Sequence, residues 1–445
     1  MIMARLTYNE LLEENRELRA RLAKLEAENA RLQQELTALG AVVAKLKGGK
    51  ERLPSFVKLR HRQEEAQRPG RKQGHQGSTR PIPSEVDEER ELKLSTCPDC
   101  GTKLGPPTEL RQRYVEDLLP PRVQVIRYRI ARYHCSQCHK LVERKPQDVL
   151  AGYHLSLRTM AAIVYLREEL RLPVNRVQQY LADAGLRVSS GTIERVCSQV
   201  AGRLSSHYEE ILEQARGRVG VGLDETGLRV NGVNHWMWGM ATAEEVIYHA
   251  DRRRSHEVAE ELLGSDFSGT VICDFYSAYN PLEVRKQRCW AHLLRETAKL
   301  TSEEGQALHQ ELKASYRWIE SKLGRSPPLG RRERLAAFGE WELEQLAAVE
   351  WGDPDCQRIA KRLVKHGQEL YRWVRQVGVE ATNNGTERAL RPYVVKRKIS
   401  GGHRSWAGAR KHAILLSVME TCRRRGENFC LLIENTLKQA VPSAG

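Results

Sequence analysis

The chain lacks any apolar run close to the roughly 20 residues that a membrane-spanning helix requires. Its opening segment, Met1–Leu11, also lacks the apolar centre of a secretory signal. These two absences predict a cytoplasmic protein. At 445 residues the chain is too long for one hydrophobic core, so several domains are expected.

Acidic residues are in deficit, because 57 Asp and Glu stand against 72 Lys and Arg, giving a formal net charge of +15. Such a balance favours a polyanionic partner, with nucleic acid as the leading candidate. Ribosomal and membrane-surface proteins share this kind of charge, so the motifs have to decide.

Ten cysteines are present, but only four of them have a regular spacing, as two Cys-x-x-Cys pairs. Four thiolates can close a tetrahedral structural zinc site and leave no open position. Because the run Val123–Ile130 between the pairs is typical of a hairpin strand, residues 91–150 are predicted to form a β-rich zinc module. A redox pair or unmetallated thiols are the alternatives, and no structural disulfide is expected. The four cysteines are Cys97, Cys100, Cys135 and Cys138.

Leucine recurs at every seventh position from Leu11 to Leu46. Asn15 and Asn29 fall at the accompanying a positions, where buried amides fix register and favour two parallel strands. Residues 1–50 are therefore predicted to form a coiled coil that makes the protein a homodimer. One long solvated helix packed on its own chain is the alternative.

Residues 151–215 have the pattern of a helix-turn-helix domain. Gly185 can supply the turn, and Ser189 or Ser190 can cap a second helix whose exposed face could enter a DNA groove. Plain helical packing without DNA contact would give nearly the same pattern.

Residues 216–298 predict strands around an Asn231-Gly232 hairpin turn, a third strand at Glu245–Ala250, a helix, and a short buried strand ending in Asp274. Three antiparallel strands, a helix and a central strand form the ribonuclease-H-like order. In that order Asp224 on the first strand faces Asp274 across a cleft.

A long segment with tryptophans at largely helical spacing, residues 299–380, is predicted to be a helical insertion. An asparagine at position 383 or 384 can then cap a helix that places Glu387 near its start, which makes residues 381–400 the last part of the core. Residues 401–445 complete the chain as a helical segment. The fold class is multidomain α+β: a coiled coil, a zinc module, a helix-turn-helix domain and an interrupted α/β catalytic domain.

Three acids on two strands and a helix suit two Mg²⁺ or Mn²⁺ ions about 3.5–4 Å apart. Each acid has a structural alternative: Asp224 could bond backbone near Thr226, Asp274 could cap a turn, and Glu387 could pair with Arg391. Taken together, they predict a two-metal site for phosphodiester chemistry.

Two basic segments are candidate DNA contacts. One lies in residues 51–90, a polar stretch that cannot bury an apolar face and is predicted to be a flexible linker. Its arginines can enter a narrow minor groove, although a solvated tether fits equally well. The other is a basic run that follows Glu387. The candidate residues are Arg68, Arg71, Lys72, Lys396, Arg397 and Lys398.

Four motifs resemble the insertion-sequence sixty-six family of bacterial transposases: Asp224-Glu-Thr, Asp274-Phe-Tyr-Ser-Ala-Tyr, Cys289-Trp-Ala-His292 and Asn383-Asn-x-x-Glu-Arg-Ala-Leu-Arg-Pro392. The resemblance runs nearly end to end and extends to the coiled coil, the linker and the four-cysteine module. It implies that Asp224, Asp274 and Glu387 are the metal ligands of a DDE transposase that acts on inverted-repeat ends and target DNA. It also implies a nucleoid-associated bacterial protein, with companion proteins of the same element as possible partners.

The chain departs from the family's pattern at Leu223, where many members have a small residue, and at Val394–Gly402, which replaces a commoner Gly-Arg-Lys-Asn-Tyr run. These departures concern the subgroup rather than the chemistry. Cys289 and His292 are expected to brace the cleft, with no catalytic role assigned to either.

Two other functions fit parts of the pattern. A dimeric, zinc-containing DNA-binding regulator would use the acids structurally and would work without metal. Another ribonuclease-H-like nuclease, such as a junction resolvase, would cut DNA but fail to join the ends to a target. An inactivated relic is a third possibility.

Overall fold

The computed structural model describes residues 83–116, 121–324 and 328–441. The chain divides into two compact units, residues 1–116 and 117–445, and the boundary falls inside the predicted zinc module. The predicted coiled coil and the candidate DNA contacts Arg68, Arg71 and Lys72 lie outside the described residues. Within the described ranges, none of the helices combines the length and the apolarity needed to cross a bilayer.

The second cysteine pair lies between two short antiparallel strands, β1 (Arg132–His134) and β2 (Leu141–Glu143). The prediction of a hairpin strand at Val123–Ile130 is wrong, because that run has no strand structure. Val125 is 90% exposed and Ile126 is 51% exposed, so the described chain leaves much of their apolar side-chain surface uncovered.

Four helices follow the cysteine pairs and pack around a common apolar core. Ser189 accepts a hydrogen bond from the Thr192 amide at 3.1 Å, so the predicted cap of the third helix is confirmed. Gly185 has a φ of +92°, which a turn between helices requires and glycine supplies without strain. The four are α1 (Leu157–Glu168), α2 (Val174–Asp183), α3 (Ser190–Arg203) and α4 (Ser205–Arg216).

A five-stranded mixed sheet forms the centre of the second unit. Its strands are β3 (Gly220–Val230), β4 (Val233–Ala241), β5 (Val246–Asp251), β6 (Thr270–Cys273) and β7 (Arg285–Arg288). Their order is β5-β4-β3-β6-β7, with β3, β4 and β5 antiparallel and β6 and β7 parallel to β3. Helix α5 (His256–Leu263) connects β5 to β6. The predicted pairing of the first and fourth strands is therefore confirmed.

The predicted insertion is helical and has its own apolar core, which extends to Ile272 and Trp290 at the sheet. Helix α6 (Trp290–Thr297) precedes the insertion, whose helices are α7 (Glu303–Leu323), α8 (Leu329–Ala348), α9 (Pro354–Leu370) and α10 (Arg372–Arg375). Three more helices follow within the described residues: α11 (Asn384–Ser400), α12 (Trp406–Arg425) and α13 (Phe429–Gln439).

Helix α12 covers the edge strand β5. The Tyr248 amide donates to Ser417 Oγ at 2.8 Å, and the Val246 amide donates to Thr421 Oγ1 at 3.0 Å. These hydroxyls satisfy backbone groups that an edge strand would otherwise leave unpaired in the interior.

Candidate active site

The register of two parallel strands brings the first two acids together. Gly222 of β3 lies opposite Ile272 of β6. Asp224 and Asp274 each stand two residues beyond that pair, and side chains two apart along a strand share a face. The two carboxylates therefore lie side by side where β6 ends.

The third acid is in the first turn of α11, as the sequence predicts. This helix packs directly on β3, because a methyl group added at Gly222 would overlap the Thr386 hydroxyl. Asn383 was expected as a possible capping residue, but its side chain makes no cap. Its Nδ2 instead donates to the Leu223 carbonyl at 2.7 Å, which fixes the start of α11, and with it Glu387, against the strand that carries Asp224.

Charge at the cleft is dominated by carboxylates. Burial raises the pKa of Asp224 to about 7, and the carboxylates of Glu225, Asp274 and Glu387 contribute in the same direction. A cation bound between these groups would relieve both the desolvation and the repulsion. The donor set, three carboxylates on rigid elements, is the oxygen-rich set that Mg²⁺ and Mn²⁺ prefer.

Glu387 is paired with two basic groups of α6. Arg295 Nη1 lies 3.1 Å from Glu387 Oε1, and His292 Nε2 lies 3.6 Å from the same oxygen. The alternative pairing with Arg391 is not seen among these contacts. The three acids are not the group with the closest potential metal-ligating atoms. In the part of the chain that the structure describes, the three side chains whose ligand atoms all lie within 4.8 Å of one another are His249, Asp251 and Glu261.

The chain reversal after β6 is held from the interior by Arg288. The Arg288 side chain is fully buried, and its Nη1 donates to the Asp274 carbonyl at 2.7 Å. Its Nε pairs with Glu369 of α9 at 2.7 Å. Asp274 Oδ1 in turn accepts from the Tyr276 amide at 2.8 Å. The insertion is thereby connected to the backbone of a candidate metal ligand.

Cys289 takes the bracing position that was expected of it. Its buried Sγ accepts a hydrogen bond from the Asn383 amide at 3.0 Å, and its own amide donates to the Cys273 carbonyl at 2.9 Å. Burial raises the pKa of the thiol, so it remains a neutral packing group.

The basic run after Glu387 divides into residues of different kinds. Lys396 is 5% exposed and its ammonium pairs with buried Glu168, so the expectation that it binds DNA phosphates is corrected. Lys398 is exposed, and Arg397 is half-buried with its Nη1 3.4 Å from Thr226 Oγ1 on β3. These two remain candidate DNA contacts.

Each cysteine pair lies in the same kind of tight backbone turn. The Cys97 amide donates to Thr102 O at 2.8 Å, and the Gly101 amide donates back to Cys97 O at 2.9 Å. The second pair repeats this pattern from Cys135 to Lys140 and from His139 to Cys135, both at 2.9 Å. Gly101 and His139 both have positive φ angles, of 74° and 55°. A positive φ is uncommon for a residue other than glycine, yet His139 adopts it at the position that Gly101 takes in the first turn. The backbone around the two cysteine pairs therefore has the same conformation.

Several residues near the acids escaped the sequence analysis, among them Arg254, Arg288 and Arg295. Each acts on a group that is distant in sequence, as with Arg295 and Glu387, which are 92 positions apart. The Cys289-Trp-Ala-His292 motif was the one available signal for Arg295, because His292 and Arg295 share one face of a helix.

Comparisons with known proteins find two family models. One, described as the transposase IS66 family, matches residues 153–411, which is more than half of the chain. The other, the zinc-finger binding domain of transposase IS66, matches residues 95–139 and spans all four paired cysteines.

Relatives include three uncharacterized proteins of Sinorhizobium fredii. Protein y4qI is 26% identical over 350 residues, which cover 70% of this chain and 64% of the relative. Protein y4jO is 29% identical over 147 residues, covering 32% and 44%, and y4hP is 21% identical over 405 residues, covering 77% and 70%. The matches thus span less than two thirds of the length of the first two relatives.

Proposed function

The chain belongs to the IS66 transposase family, and from that premise we propose that it cuts DNA at the ends of an insertion sequence and joins those ends to target DNA. The observation that carries the proposal is the register of β3 and β6, with Asp224 and Asp274 two residues beyond the same pair. Glu387 on the helix packed against β3 completes a ribonuclease-H-like site.

Asp224, Asp274 and Glu387 are the residues that would hold two divalent metals. The metals would activate the attacking oxygen and stabilise the leaving oxygen of the phosphodiester. The protein's own contribution is placement: Asn383 holds the start of α11 to β3, and Arg288 holds the backbone of Asp274. Arg295 neutralises Glu387 and must release or share that carboxylate for it to act as a ligand.

The four paired cysteines are proposed to bind one structural zinc ion. Support comes from the match of the zinc-finger model to residues 95–139 and from the identical turn at each pair. Thr102 and neighbouring backbone groups lower the pKa of the Cys100 thiol to about 7, which favours the thiolate that zinc requires.

DNA is the proposed partner, and its two ends would be served by a homodimer formed through residues 1–50. Exposed Lys398 and half-buried Arg397 are proposed to contact phosphates on the side of α11 that follows Glu387. Companion proteins of the same element are further proposed partners.

The test pairs the purified protein with DNA that carries the repeats flanking its own gene, in Mg²⁺ or Mn²⁺. Asp274→Asn is compared with Asp266→Asn, a matched change at an exposed position before β6. Metal-dependent nicking and transfer to a second DNA, lost only in Asp274→Asn, are expected. Cutting without joining would indicate a nuclease, and binding without cutting in all three proteins would indicate a regulator or a missing companion.

A further inference from the structure

Three consecutive arginines follow strand β5, and their side chains separate into different environments. They are Arg252, Arg253 and Arg254, and we name them the arginine turn. None of them belongs to the basic segments that the sequence analysis singled out.

Arg254 is fixed beside the candidate metal ligands. Its guanidinium lies 4.0 Å from the centre of the Tyr276 ring and 4.4 Å from the centre of the Trp236 ring. Its Nη2 pairs with buried Glu225 at 2.7 Å. The Tyr276 hydroxyl donates to the Arg254 carbonyl at 3.1 Å, while the Tyr276 amide donates to Asp274. One tyrosine thus links this arginine to a candidate ligand.

Arg252 occupies the other side of the turn. Its guanidinium lies 5.2 Å from the ring centre of Trp406, the first residue of α12, and that ring also packs on His235 at 4.8 Å. A cavity of about 330 Å³ opens there, and it is lined by Arg252, Arg253, Arg410 and Trp406 together with Ala250 and Asp251. The cavity is therefore basic with an aromatic wall, a combination suited to a nucleic acid strand.

Arg253 pairs with two acids, whereas Arg254 pairs with the single acid Glu225. Its guanidinium pairs with Asp251 at 3.2 Å and with Glu261 at 2.8 Å. It makes no stacking contact with an aromatic ring within the described chain. The turn therefore contains its own control residue.

The sheet register sets the distance from the turn to the acids. Asp251 lies opposite Trp236, and Trp236 lies opposite Gly227, three residues beyond Asp224. Three residues along a strand and two strand spacings place the Cα atoms of Asp251 and Asp224 roughly 14 Å apart. Phosphates recur about every 3.4 Å of helix axis on one strand, so the turn lies within about four base pairs of the cut.

We propose that Arg252 and Arg254 bind the phosphodiester backbone of the DNA end next to the bond that is cut. Stacking on aromatic rings holds each guanidinium in place before DNA arrives, so less side-chain entropy is lost on binding. Arg253, already paired with Asp251 and Glu261, makes no phosphate contact in this proposal. This inference rests on the proposed function for the identity of the ligand.

The test is the salt dependence of binding to duplex DNA carrying the end repeats, measured without divalent metal so that no cutting occurs. Arg252→Ala and Arg254→Ala are each expected to reduce the slope of log affinity against log salt by about 1, and the double variant by about 2. Arg253→Ala is expected to leave the slope unchanged. Equal effects of all three substitutions, or no effect of any, would overturn the proposal.

Two further measurements separate contact from damage to the fold. Glu225→Gln combined with Arg254→Gln removes the buried carboxylate together with its partner, and this protein should show the same slope as Arg254→Ala. Replacing single phosphates near the end by neutral methylphosphonates should weaken binding to the wild type and have no effect at one such position in Arg254→Ala. Sensitivity that is identical in both proteins would refute the contact.

These readouts are independent of cleavage. A protein that shows the expected slopes but cuts no DNA, even when the companion proteins of its element are added, would refute the proposed function and leave the arginine turn in place. A protein that cuts and joins DNA with unchanged slopes in the variants would refute only the arginine turn.

Discussion

Replacing Arg288 by methionine would remove a buried guanidinium from the junction between the sheet and the insertion. In the folded protein its Nη2 donates to Asn280 Oδ1 at 2.7 Å, its Nη1 donates to the Asp274 carbonyl, and its Nε pairs with Glu369. A methionine of similar volume fills the space but supplies none of these donors.

The expected loss follows from what the substitution leaves behind. Removing one partner of a buried ion pair costs about 3–5 kcal/mol, because the other charge stays buried without compensation. Glu369 is 23% exposed and keeps a hydrogen bond from His366 Nδ1 at 2.8 Å. The loss should therefore lie at the lower end, about 3 kcal/mol in the free energy of unfolding.

Urea unfolding followed by tryptophan fluorescence measures this loss. The matched control is Arg285→Met on the same strand, where the side chain is exposed and the change should cost less than about 1 kcal/mol. If Arg288→Met cost no more than Arg285→Met, the buried connection between the insertion and Asp274 would have no energetic importance.

Three other predictions concern stability and the placement of α11. Lys396→Met should lower the free energy of unfolding in urea by about 3–5 kcal/mol, because Glu168 is left buried without its countercharge. The control Lys398→Met, at an exposed position, should lower it by about 0.5 kcal/mol or less. Equal losses in the two variants would contradict the buried pair. Gly222→Ala should reduce cleavage about 100-fold while DNA binding is retained. The added methyl group would lie 2.7 Å from Asn383 Oδ1 and would displace α11, which carries Glu387. Unchanged cleavage would exclude the close packing of α11 on β3. Burial lowers the pKa of His403 to about 4, whereas the same side chain in the unfolded protein has a pKa of about 6.5. Because the unfolded chain therefore binds protons first, the melting temperature should fall as the pH drops from about 6.5 toward 4. The fall should be smaller in His403→Gln, and an identical fall in both proteins would refute the assignment to His403.

The parts of the fold that depend on local pattern were predictable. The Asn231-Gly232 turn is confirmed, with φ angles of 47° and 80° that favour these two residues in a tight hairpin. The acid after a short apolar run and the acid in the first turn of a helix were also found from neighbouring residues alone. Placing Asp224 beside Asp274 needed one further rule, the strand order.

The features that the sequence analysis predicted wrongly or missed depend on contacts with residues that are distant in the sequence. Lys396 stands in a basic run that predicts an exposed face, yet it is buried because Glu168, 228 positions earlier, provides a countercharge. Val125 lies in a run with the composition of a strand, but composition does not supply a partner strand. The pairing of Arg295 with Glu387 likewise depends on how α6 and α11 pack, which no local pattern encodes.

The most direct test of the central claim is Mn²⁺ binding, measured by electron paramagnetic resonance on the full chain. We expect Asp224→Asn, Asp274→Asn and Glu387→Gln each to weaken Mn²⁺ binding by at least about tenfold, since each loses a charged oxygen ligand. Glu344→Gln, at an exposed position of the insertion, should bind Mn²⁺ like the wild type. Equal Mn²⁺ affinity in all five proteins would contradict the assignment of the three acids as the metal site.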